Sequence, residues 1–231
     1  MLCFGGQDCY SENILQTPTC GYSALEADRE LTWVDVAGLF PAPKDCLAAF
    51  FAVAAAEVLS GTKPANMIRV PNQRLPCGRR MYRLWQNFGA DLLQNSPLSV
   101  WPMQTEKNSV LLLIYRSDLL ERRLRGKTMQ AFLVRHGYSR PLTLEKTLQH
   151  LQDSFKEGIP HEVGMFLGYP LKDVKGFMSQ ESEPSQDRGM WRIYGPSARS
   201  LRLNDLYRSK RLEMIALLAT GRIPLQLLQA A

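Results

Sequence analysis

The run Val110-Leu111-Leu112-Leu113-Ile114-Tyr115 has no polar interruption, and it constrains the fold more than any other segment. Six residues are too few to favour a helix, and a strand wet on one face would alternate apolar with polar residues. A run apolar at every position fits a strand covered on both faces. The chain must therefore supply two apolar layers, one for each side of that strand. Helical patterns lie before and after it, and strands interleaved with helices imply an α/β domain, with mixed α+β as the neighbouring class. The expected architecture is a single compact domain with a small central sheet flanked by helices.

The flanking patterns are specific. Leu47, Phe50, Phe51, Ala54 and Val58 recur at helical spacing, predicting a helix over 43–60 that Gly61 ends. A short strand follows over 66–70, then a helix over 81–93. After the central strand, helices are predicted over 119–124, with Asp118 as its cap, and over 128–135. Leu144, Leu148, Leu151 and Phe155 form one stripe of an amphipathic helix over 143–157. A short helix over 171–178, a strand over 190–194 in the same sheet as the central one, and a long helix reaching about residue 219 complete the pattern. The expected divisions are a partly ordered N-terminal arm over 1–42, the α/β domain over 43–219 and an apolar C-terminal tail over 220–231.

Composition and charge exclude some classes. The longest strongly apolar uncharged run, from Cys46 to Ala56, is far short of the ~20 residues a membrane span requires. The first basic residue is Arg29, after several acidic ones, unlike the basic start of a secretory signal. These features imply a cytoplasmic protein with no membrane span. Five cysteines without a C-x-x-C pair imply neither a disulfide framework nor a standard zinc site. The net charge of +6 is unevenly spread. Lys63, Arg69, Arg74, Arg79, Arg80 and Arg83 fall in a stretch without Asp or Glu, a pattern seen on anion-binding surfaces and also on ordinary solvated faces.

The familiar catalytic signatures are missing. There is no G-x-G-x-x-G, no phosphate loop and no G-x-S-x-G elbow. His161-Glu162 would begin a zinc-protease helix only with a second histidine at 165, where the chain has Met165. His161 and Glu162 nonetheless follow Pro160 in a glycine-rich segment that lets backbone or ligand approach closely, so they are the candidate acid and base.

The segment Pro160-His161-Glu162-Val163-Gly164-Met165-Phe166-Leu167-Gly168-Tyr169-Pro170-Leu171-Lys172-Asp173-Val174-Lys175-Gly176-Phe177 resembles the hallmark of an uncharacterised bacterial family, domain-of-unknown-function family 3793, found mainly in anaerobic Firmicutes. Leu59-Ser60-Gly61-Thr62-Lys63-Pro64-Ala65-Asn66, His136-Gly137-Tyr138 and Met190-Trp191-Arg192-Ile193-Tyr194-Gly195 are similar to further pieces of its pattern. The resemblance covers about residues 44 to 210. It departs at Arg188-Gly189-Met190, where the family pattern often has Cys-Gly-Tyr, and at Pro196, where it has Asp. The resemblance implies one compact domain and carries no activity.

Three functional readings follow. The first is a small-molecule or cofactor-binding protein, the cofactor unidentified, with Lys63, Asn66, Tyr169 and Trp191 as ligand-binding residues: Lys63 meets a small anion, Asn66 orients it, and the aromatic rings stack. The second is an enzyme acting on an anionic substrate with His161 and Glu162 as acid and base. The third is nucleic-acid or protein-partner binding through the basic 63–83 segment, with Tyr82 and Trp85 available to stack on bases.

Overall fold

The computed structural model of the protein describes residues 32–75, 78–179, 184–185, 187 and 189–229. Most of the expected N-terminal arm, and Cys3, Cys9, Cys20 and Cys77, lie outside the described residues. The apolar run is the middle strand of a three-stranded antiparallel sheet, with β1 (Ala65–Pro71) and β2 (Ser99–Glu106) on either side of β3 (Ser109–Tyr115). Every residue of β3 is buried. Because successive side chains point to opposite faces, Val110, Leu112 and Ile114 enter one hydrophobic core while Leu111, Leu113 and Tyr115 enter a second. The α/β expectation with a small central sheet therefore holds, and the sheet is wholly antiparallel.

Helices α1 (Trp33–Ala37), α2 (Pro43–Ala54), α3 (Ala56–Leu59) and α4 (Met81–Leu93) precede the β2–β3 hairpin. After it come α5 (Ser117–Leu124), α6 (Lys127–Arg135), α7 (Leu144–Ser154), α8 (Val163–Phe166), α9 (Leu171–Ser179), α10 (Ala198–Ala219) and α11 (Pro224–Gln229). The first core unites α1, α2, α4 and α11, with Trp33, Leu47, Phe51, Leu92 and Leu228 buried in it. The second unites α5 through α9, with Leu120, Phe132, Leu148, Phe166 and Val174. Helix α10 belongs to both: Tyr207 enters the second core, and Ile215 and Leu218 enter the first. The stretch expected as a tail thus includes a helix anchored in the first core. Among the described residues no helix is long and apolar enough to cross a membrane.

Three expectations need correction. The helix predicted over 43–60 is broken at Ala55 (φ −111°, ψ 12°). The side-chain amide of Asn66 donates to the Ala54 carbonyl at 2.7 Å, and the Val58 N–H turns to the Ala55 carbonyl instead. The strand predicted over 190–194 does not form. That segment is irregular, and its backbone groups bond outside any sheet: the Met190 N–H donates to Asn204 Oδ1, the Tyr194 N–H to Asp173, and the Ile193 carbonyl accepts from the Ser185 N–H. Finally, Asp118 does not cap α5. The N-cap is Arg116, and the Asp118 carboxylate in the first turn receives that residue's guanidinium at 3.0 and 3.1 Å.

Candidate functional site

Lys63 owes its position to the way α3 ends. Gly61, at φ +73°, sits just past the helix in the left-handed conformation that glycine adopts without strain. The Gly61 N–H bonds the Val58 carbonyl at 3.0 Å and the Thr62 N–H bonds the Glu57 carbonyl at 3.1 Å, which is the Schellman pattern of helix termination. The Ser60 and Thr62 hydroxyls and the Lys63 N–H also donate to the Glu57 carbonyl, at 3.0, 2.9 and 3.0 Å. This heavily bonded turn feeds Pro64 into β1 and turns the Lys63 side chain inward, leaving it 1% exposed.

The Lys63 ammonium donates to Asn66 Oδ1 at 2.9 Å and lies 5.6 Å and 5.2 Å from the ring centroids of Tyr169 and Tyr207. The rings offer their negative faces to the cation. No carboxylate among the described residues pairs with it directly. The nearby Glu57 carboxylate, fully buried, binds Arg211 through Oε1 at 2.5 Å, and its Oε2 has no hydrogen-bond partner among the described residues. Burial pulls the Lys63 ammonium down from 10.5 to about 8. The Glu57 charge partly offsets that effect and the Arg211 charge adds to it. The same burial raises the Tyr207 phenol to about 12, a rise the Arg123 charge restrains and Glu57 reinforces; Tyr169 is likewise raised, by burial first and then by Tyr207 and Glu57.

The aromatic wall is held from behind. Trp191 stacks on Tyr169 with ring centroids 4.3 Å apart. Its indole N–H donates to Asp173 Oδ2 at 2.8 Å. The buried Asp173 also accepts from the Ser200 hydroxyl at 2.6 Å, the Tyr194 N–H at 2.9 Å and the Lys172 ammonium at 2.6 Å, while Lys172 donates to the Tyr194 carbonyl at 2.7 Å. Burial pushes the Asp173 carboxyl up, but the hydrogen bonds outweigh it and hold its pKa below the ordinary value. Arg123 secures the neighbouring turn by donating to the carbonyls of Met165 and Tyr169 at 2.6 and 3.2 Å.

Two glycines let these segments meet. A Cβ on Gly168, where φ is +84°, would lie 2.9 Å from Pro64 and 3.1 Å from the Tyr207 hydroxyl. A Cβ on Gly176 would lie 2.4 Å from Cγ of Tyr194. Gly176→Ala is therefore expected to lower stability by about 1–3 kcal/mol through overpacking, read as a lower urea midpoint. An unchanged midpoint would show that Tyr194 moves aside freely.

The predicted ligand-binding residues Lys63, Asn66, Tyr169 and Trp191 are thus brought into one cluster. His161 and Glu162 are directed elsewhere. His161 is exposed, its ring edge-on to Phe177 at 4.9 Å. Glu162 is buried and accepts from the Tyr138 hydroxyl at 3.2 Å. Among the described residues the two neighbours share no partner with each other or with Lys63, which is poor geometry for a concerted acid and base. An open cleft of about 450 Å³ is lined by Gln130, Arg140, Pro141 and Leu142 and includes none of the cluster residues.

Most of the basic 63–83 segment is engaged within the fold. Arg69 binds Glu106 and Ser109, Arg79 donates to the Pro41 carbonyl, and Arg80 donates to the Asn72 carbonyl. Trp85 stacks on Phe51 at 5.0 Å, within the first core. Sequence reasoning missed Glu57, Tyr207 and Arg211. Only Glu57 had left a signal, as the one charge interrupting the apolar 46–59 stretch.

The profile of a protein family described as "Protein of unknown function (DUF3793)" matches residues 51–228. No curated protein and no solved structure matches the chain.

Proposed function

Because the chain belongs to the DUF3793 family of proteins of unknown function, its activity must be read from the site, and we propose that it binds a small anionic molecule against Lys63. The observation that carries this reading is a lysine 1% exposed whose ammonium, among the described residues, hydrogen-bonds to the neutral Asn66 and to no carboxylate. A buried charge without a paired counter-charge is strongly unfavourable. The fall of its pKa from 10.5 to about 8 corresponds to about 3 kcal/mol. An anionic ligand removes that penalty on binding, and Arg211 is close enough for its charge to act on the same centre. Asn66 holds the ammonium in place, Tyr169 and Tyr207 flank it, and Trp191 positions Tyr169. The setting proposed for this activity is the bacterial cytoplasm, in keeping with the family resemblance.

The unliganded protein has a pH signature. Below about pH 8 Lys63 is protonated in both native and unfolded chains, and the penalty is complete. Between pH 8 and 10.5 the native chain releases the proton while the unfolded chain keeps it, so stability rises with pH, by about 3 kcal/mol in full. The tyrosines, raised in the native state, oppose this near pH 10, so the slope is best read between pH 8 and 9.5 by urea unfolding. Lys63→Met is expected to lack the rise, and an identical pH profile in both proteins would contradict the buried charge.

Ligand binding is tested by thermal shift at pH 7 with acetate, pyruvate, inorganic phosphate and adenosine monophosphate. At least one is expected to raise the Tm of the wild type and not of Lys63→Met, since a hundredfold excess over Kd adds about 2.7 kcal/mol. No shift with any of them at millimolar concentration overturns the proposal.

A further inference from the structure

We propose that the molecule bound at Lys63 is a zwitterion of the α-amino-acid class, its carboxylate held by Lys63 and its ammonium held by the free oxygen of Glu57. The inference rests on the anion-binding reading and adds a second recognition element from a separate observation. Glu57 is fully buried on α3, its Oε1 is occupied by Arg211 at 2.5 Å, and its Oε2 has no hydrogen-bond partner among the described residues. An ionised carboxylate accepts at both oxygens, and one left bare in the interior is expensive. Its chemical need is a donor, preferably charged.

Lys63 has the opposite need. It carries three N–H donors and gives one to Asn66. The two groups sit in one neighbourhood: the turn that ends α3 bonds the Lys63 N–H to the Glu57 carbonyl, and the Glu57 charge acts on the Lys63 ammonium. A simple carboxylate or phosphate would satisfy the ammonium and place a negative charge beside Glu57, where it is repelled. A simple amine would satisfy Glu57 and be repelled by Lys63. A molecule bearing ammonium and carboxylate on one carbon meets both demands and adds no net charge to the interior.

The experiment is calorimetric titration of the wild-type chain at pH 7 with the twenty common amino acids, each positive then compared with its deaminated carboxylate (propionate for alanine, 3-phenylpropionate for phenylalanine) and its decarboxylated amine. At least one amino acid is expected to bind ten or more times more tightly than either analogue. Glu57→Gln, which keeps an oxygen for Arg211, is expected to reduce the preference for the amino acid over the carboxylate at least tenfold. The wild-type comparison decides the matter even if that variant does not fold. Carboxylates binding as tightly as the amino acids would overturn the zwitterion and leave the anion reading intact. Binding by none of the twenty amino acids would overturn the zwitterion, and the thermal-shift test with acetate, pyruvate, phosphate and adenosine monophosphate would then decide the anion reading separately.

Discussion

Asp173→Ala is expected to lower the unfolding free energy by about 3–5 kcal/mol, the range for breaking a buried charged network from one side. Against a total of roughly 5–15 kcal/mol, that leaves a marginal fold. The substitution orphans the Trp191 indole N–H, the Ser200 hydroxyl and the Tyr194 N–H, all buried, and deprives Lys172 of its counter-charge. Its effect should spread beyond the local loss, because Trp191 supports the Tyr169 ring beside Lys63. Asp173→Asn, which still accepts at one oxygen, should lose less. Urea midpoints rank the three proteins, and a variant with alanine as stable as the wild type would refute the organising role. The pH dependence has a definite sign. A carboxyl whose native pKa lies below its ordinary value of 3.8 stabilises the fold above that value, and the contribution disappears as pH falls through the native pKa.

Leu112→Asp is expected to abolish folding. Leu112 is fully buried in the middle of β3, facing the first core, and its backbone neighbours are strands on both sides. A carboxylate there has no partner and no route to water, and its burial costs several kcal/mol in addition to the lost leucine packing. The far-ultraviolet dichroism of the purified variant and its urea transition test this directly. A cooperative transition near the wild-type midpoint would remove β3 from the core.

The reasons β3 could be read from sequence and β2 could not are the same physics seen from the centre and from the edge. A central strand between two apolar layers must be apolar throughout, whereas β2 carries Pro102, a register shift between Pro102 and Gln104, and exposed Gln104, Thr105 and Glu106. Proline and polar residues are tolerated there because β2 is an edge strand. The two-residue connection Lys107-Asn108 was the remaining hairpin signal, and it lacks the glycine that usually marks one. The segment 190–194 failed in the opposite way: Trp191, Ile193 and Tyr194 are buried as a strand's residues would be, but side chains of α9 and α10, Asp173, Lys172 and Asn204, take backbone groups that a ladder would use. At the site, Lys63 and Asn66 were legible as near neighbours in a patterned turn. Tyr207 and Arg211 arrive from a distant helix whose many basic residues give no hint of which two point inward.

Helix α10 joins the two cores, and α11 completes the first of them by burying Leu228 with residues of α2. For a chain emerging in order from the ribosome, this creates a schedule. The second core has all its parts once Tyr207 has emerged, whereas the first, begun with Trp33, waits almost two hundred residues for its closing helix. Throughout that interval the apolar α2, with Leu47, Ala48, Phe51 and Ala52 destined for full burial, lacks its covering partner. The half of the molecule made first is therefore the half finished last, and it is the half in need of shelter during synthesis.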